Sequence, residues 1–201
     1  MRPLTICGGK VPDYPPVVVF ELSRDVGDLH TIFCDKPSKE RDAVVAEMSR
    51  NTRGDSFVFI PLYGAFMIFF FLGARGAWPR LARIGLALSA LAILSDYAEN
   101  YSLFQTLGAL DNRAGPYALL PWATGVKWVS LGLGGIVCAF ASSTHRLVAA
   151  TAAALAVVGL ALVLLALIDP HAHCGLAPFG ILVSWGIFLI ADAWESFRLP
   201  A

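Results

Sequence analysis

Asp96, Glu99 and Asn100 stand close together in the apolar stretch AILSDYAENYSLF, residues 92–104. Residues three and four apart share a face of a helix, so two carboxyls and an amide point the same way. In a membrane helix each charged side chain near the centre costs about 2.5–3.5 kcal/mol on the lenient insertion scale. Such groups should turn into a bundle and find partners there. Paired acids can divide acid and base roles when their environments separate them. They can also meet the polar head of a ligand or relay protons. They can equally act as plain hydrogen-bonding glue between helices, contributing below ~2 kcal/mol per bond.

Lys127 is the only lysine in an apolar segment. If the segment holding Asp96 starts near Leu81, Asp96 lies ~22 Å and Glu99 ~27 Å along it, while Lys127 lies ~15 Å into the next, which runs back. The three groups therefore meet at a similar level. Asp55, Phe59 and Tyr63 recur every fourth residue and form one stripe at the head of an earlier segment. The expectation is one buried network of Asp55, Tyr63, Asp96, Glu99, Asn100 and Lys127. That network is the candidate ligand-binding site, and Asp96 and Glu99 are its candidate catalytic pair. Trp122 and Trp128 wall it or anchor the interface. Three carboxyls exceed one lysine, so a protonated acid, a metal or an external cation must balance the charge.

Two other polar clusters compete for attention. DPHAHCG holds His171, His173 and Cys174, the only grouping of transition-metal ligands. It lacks a fourth ligand at standard spacing, so a polar loop with no metal and no cofactor is expected. Asp192 and Glu195 in DAWESF echo DYAENY. An inverted repeat would produce such an echo, but the flanking residues do not match, and interfacial water is the expected partner. No P-loop, dinucleotide fingerprint or nucleophile elbow occurs.

These residues need elements to position them. Of the 201 residues, 57% are hydrophobic and 15% charged, far below the quarter usual for soluble domains. Most charges precede Phe57. The formal net charge of zero gives no argument for a nucleic-acid partner. Five apolar segments follow, Phe57–Leu72, Leu81–Leu110, Tyr117–Ala141, Leu147–Ile168 and Phe179–Phe197, separated by glycine, proline and serine. A bilayer core of about 30 Å needs about 20 helical residues, and these evenly apolar runs do not alternate like barrel strands. The expected fold is all-α: five transmembrane helices in 55–201, preceded by amphipathic helices in a polar region, 1–54.

In that region Leu22, Val26, Leu29 and Phe33 follow helical spacing up to Pro37. Ser38 can cap a second helix with Val44, Val45 and Met48 on its apolar side. These helices pack on the membrane domain, lie at its surface, or gate a cavity. Met1–Lys10 has no apolar core of a signal peptide. The cysteines 7, 34, 138 and 174 form no CxxC pair, and no disulfide framework is read from them. Arg75, Arg80, Arg83, Arg146 and Arg198 lie on one side and Arg50, Arg53 and Arg113 near the other, which favours the first side as cytoplasmic.

FEL at 20–22, DSFVFIPLYG at 55–64, DYAEN at 96–100 and KW at 127–128 together resemble a group of small bacterial integral membrane proteins. The shared pattern is an Asp-x3-Phe-x3-Tyr entry helix, an Asp-x-x-Glu-Asn helix and a lysine-bearing helix. The resemblance spans about residues 20 to 140. It implies a bacterial inner-membrane setting and makes the polar cluster a group feature, but it supplies no activity. Three functional expectations stand: a non-enzymatic membrane protein that takes a small amphipathic or lipid-like ligand, a membrane enzyme using the paired acids on a lipid, and a proton-coupled transporter. Membrane lipids are the expected partners, a homo-oligomer is compatible, and no nucleic acid is expected.

Overall fold

The computed structural model describes residues 16–111, 115–141, 146–169, 182, 185 and 186. Among them every regular element is helical. In order these are α1 (Pro16–Glu21), α2 (Val26–Phe33), α3 (Lys39–Gly54), a π-helical turn (Asp55–Phe59), α4 (Ile60–Ala74), α5 (Pro79–Leu107), α6 (Leu120–Ala141) and α7 (Arg146–Ile168). Among the described residues four helices are long and apolar enough to cross a membrane: Lys39–Ala74, Pro79–Leu107, Leu120–Ala141 and Ala149–Ile168. The fifth expected segment, Phe179–Phe197, falls largely outside the described residues.

The polar region forms a cap over one end of the bundle. Asp25 starts α2 with a reciprocal capping box: its carboxylate accepts from the Asp28 N–H at 3.0 Å, and Asp28 accepts from the N–H of Asp25. This local bonding breaks the helical run expected from Leu22 onward, leaving Leu22 in the bend between α1 and α2. At the far end Cys34 adopts φ 64° and closes α2 before Pro37 is reached. Ser38 caps α3 through the Arg41 N–H at 3.1 Å. Phe20, Leu29, Phe33 and Met48 then pack with Leu103 and Leu107. The last turns of α5 thus rise out of the bundle into the cap core. Helix α3 runs on into α4 without a break, 36 residues in all. Cys34 is disulfide-bonded, and Cys138 is buried. The spacing of the four cysteines did not mark this bond.

Helices α4 to α7 pack consecutively, with α5 against both α4 and α6. Short connections make neighbours antiparallel, so the start of α4, the end of α5, the start of α6 and the end of α7 share the cap face. Arg24 in the cap confirms the last of these. Its guanidinium donates to the Leu167 carbonyl at 3.0 Å, near the end of α7 where carbonyls lack helical partners. Close approach at the opposite end depends on Gly85, whose missing Cβ is replaced by the buried ring of Phe71. Outward faces stay apolar, with Phe57 80% and Trp122 75% exposed. That is the surface expected toward lipid and its interface.

Candidate functional site

The site is built around Lys127, which α6 places about two turns below the cap face. Its side chain is 7% exposed. The ammonium contacts Glu99 and Asp96 of α5, pairing closely with Glu99 Oε1 and lying 3.6 Å from Asp96 Oδ1. From the third side comes Glu21, the last residue of α1, with Oε2 3.2 Å from Nζ and a side chain 11% exposed. Around this centre Tyr63 of α4 donates its phenol to Asp96 Oδ2 at 2.8 Å. Trp128 hydrogen-bonds the Glu21 carboxylate, and the Lys127 ammonium lies 4.9 Å from its ring centroid. Thr124 donates to the main-chain carbonyl of Glu21 at 3.1 Å and so satisfies the end of α1.

A second group lies beside the first. The Asn100 amide donates to Asp55 Oδ2 at 2.7 Å and to Ser56 Oγ at 2.9 Å. Asp55 opens the π-helical turn, where the Ile60 N–H reaches back five residues to the Asp55 carbonyl. The wider turn changes the stripe expected from four-residue spacing. Asp55 and Tyr63 both face α5, whereas Phe59 between them is 55% exposed and leans on the Tyr63 ring at 5.3 Å. Such single π turns are rare and often sit at functional positions.

The structure therefore brings Tyr63, Asp96, Glu99 and Lys127 into direct contact and sets Asp55 and Asn100 as a linked pair alongside. It adds Glu21, which the reading of the residues did not place in the site. The FEL triplet marked that position but carried no spacing that ties it to Lys127. Trp128 is a wall of the site, and Trp122 points outward.

The charges do not balance. Glu21, Asp96 and Glu99 face one ammonium, and two of their buried oxygens, Asp96 Oδ1 and Glu99 Oε2, take part in no hydrogen bond. A buried acceptor left without a donor costs on the order of 1–3 kcal/mol, so these oxygens are places for a proton, a water or a polar group of a ligand. Burial pushes the Glu21 carboxyl above the ordinary glutamate value, with the Lys127 charge pulling the other way.

The cluster lies toward the cap face. Beyond it, the described parts of α4 to α7 hold no acid, lysine, arginine, histidine or tyrosine until Arg75, Arg80, Arg83 and Arg146. From Asp96 to Arg83 is about 20 Å along α5. The small polar residues in between, Ser89 and Ser95, donate to carbonyls of their own helix. A separate surface depression lies on the cap, lined by residues that include His30, Cys34 and Arg41. Among the described residues no set of His, Cys, Asp and Glu is arranged to hold a metal. The His171, His173 and Cys174 loop lies outside them, as do Asp192 and Glu195. Comparison with family models, with curated proteins and with solved structures finds no match for this chain.

Proposed function

We propose that this protein binds the polar head of a small amphipathic molecule at the Lys127 cluster, in a bacterial inner membrane. One observation carries the reading. The cluster is closed on one side by a six-residue helix from the cap, not by another span. Polar groups that merely glue spans together would lie between spans on every side. Here a short, separately connected element covers buried, incompletely bonded carboxyls in an apolar surround, the form of a ligand site. The motif resemblance supports the same reading, since Asp55, Tyr63, Asp96, Glu99, Asn100 and Lys127 would be its shared machinery.

The test is a native mass measurement on protein extracted from its own membranes in mild detergent. The expected result is a non-protein mass on the wild type that is lost in Lys127→Met while the variant keeps its unfolding transition. Wild-type protein that stays bare, and that binds no added single-chain amphiphile, overturns the proposal.

A second reading, proton exchange with the cap side, is supported by the excess of carboxyls over the one lysine. The proton-coupled transporter gains nothing from the described residues, because the titratable groups stop on one side of the bundle. For acid–base catalysis Asp96 and Glu99 would have to reach one substrate atom, and both instead meet Lys127.

A further inference from the structure

Helix α1 is amphipathic in a way that resembles a small ligand. Its carboxylate, Glu21, accepts from the Lys127 ammonium at 3.2 Å and bonds Trp128. Its apolar side chains Val18 and Leu22, the latter just past its end, pack in the seam of α6 and α7 against Val129, Leu162 and Val163. One acidic head on a lysine and an apolar flank along a membrane seam describe a fatty acid as well as they describe α1.

We propose that the seat of Glu21 is the head-group site of a carboxylate-headed, single-chain amphiphile, and that α1 occupies it in the closed protein. This rests on the amphiphile reading above and names the class of ligand. The argument is one of exchange. Replacing the Glu21 carboxylate by a ligand carboxylate keeps the charge around Lys127 unchanged and keeps both donors, Nζ and the indole, in use. A cationic head would offset the carboxyls that remain, Asp96 and Glu99, but it gives the Lys127 ammonium no acceptor. A neutral head leaves Lys127 its pairs with Asp96 and Glu99 and offers only an uncharged acceptor in place of Glu21. In the seam the apolar exchange is balanced, since an acyl chain takes over the surface that Val18 and Leu22 leave. Among the described residues α1 is the element that moves, taking Phe20 out of the cap core; it is six residues long and is joined to α2 through the bend at 22–25. Its departure exposes the cluster on the cap side, where it holds no contact to the opposite membrane face.

The experiment uses the full chain in detergent, with saturation binding of labelled laurate, dodecanol and dodecyltrimethylammonium. Laurate should bind saturably and at least ~10-fold more tightly than the other two, the ratio expected for one charge-assisted hydrogen-bonded contact. Glu21→Ala should tighten laurate several-fold, because the internal head group is removed. Trp128→Phe, which removes only the indole donor, should weaken laurate, and Lys127→Met should abolish it. Trp128→Phe keeps the test valid if Lys127→Met does not fold. Saturable binding of dodecanol or dodecyltrimethylammonium at equal or greater strength overturns the carboxylate seat and leaves the amphiphile reading standing. Unchanged laurate affinity in Glu21→Ala also overturns it. Absence of saturable binding for all three probes overturns both.

Discussion

Lys127 and Glu21 are 106 positions apart in the chain, yet the ammonium of one lies 3.2 Å from the carboxylate of the other. The contact joins a membrane span to the cap. It makes the cap part of the site, and it fixes how the two halves of the protein respond to substitution.

Removing Lys127 leaves three buried carboxyls around an empty position. Lys127→Met should lower unfolding stability by about 3–5 kcal/mol, the usual effect of deleting one partner of a buried ion pair. Adding Glu99→Gln should restore part of the loss, because the neutral amide no longer needs a cation. Thermal or denaturant unfolding in detergent checks this. Equal stability of Lys127→Met and wild type would mean that the ammonium is solvated.

Tyr63→Phe removes the one phenol that donates to Asp96. Hydrogen bonds between membrane helices average well below their values in hydrocarbon models, so a loss of about 1 kcal/mol is expected. Asp55→Asn should be milder than Asn100→Leu. The first leaves the Asn100 amide an acceptor, whereas the second strips the Asp55 carboxylate of its donor. Parallel unfolding of the three variants gives the order.

Packing at the other end of the bundle makes a separate prediction. Gly85→Ala puts a methyl group where the fully buried Phe71 ring stands. Overpacking of this kind costs typically about 1–3 kcal/mol. Phe71→Leu should relieve it in the double variant, and neither change should alter binding at Lys127.

Docking of α1 should depend on pH through Glu21. Its carboxyl has a raised value when buried and an ordinary one when free, so the docked state binds the extra proton. The associated stabilisation is fully present below the ordinary value of 4.5 and is lost as pH rises through the docked value. Hydrogen-exchange protection of α1, corrected for intrinsic rates, should therefore fall with rising pH. Glu21→Gln should flatten that dependence.

The network on α5 and α6 is legible in the sequence because Asp96, Glu99 and Asn100 obey helical spacing and Lys127 stands alone among apolar residues. Depth along antiparallel spans is enough to pair them. Glu21 is not legible by the same means, since no periodicity links a residue of a short helix to a span 106 positions later. The π-helical turn is hidden for a different reason. Four-residue spacing puts Asp55, Phe59 and Tyr63 on one stripe, and only the extra residue of the turn sends Phe59 outward. The break before α2 could be read from Asp25 and Asp28 as a reciprocal cap, but the apolar spacing of Leu22 and Val26 masks it. Cys34 shows the limit of motif spacing, because no CxxC pattern marks its disulfide.

The most direct test of the account is a distance measurement by solid-state NMR between ¹⁵Nζ-labelled lysine and ¹³Cδ-labelled glutamate in the full chain in lipid. The account predicts a lysine signal, absent in Lys127→Met, that is dipolar-coupled to glutamate carboxyl carbons within roughly 4 Å, the range of an ion pair. One of those couplings should vanish in Glu21→Gln while the Glu99 coupling remains. A Lys127 signal without carboxyl coupling, or one unchanged by Glu21→Gln, would contradict it.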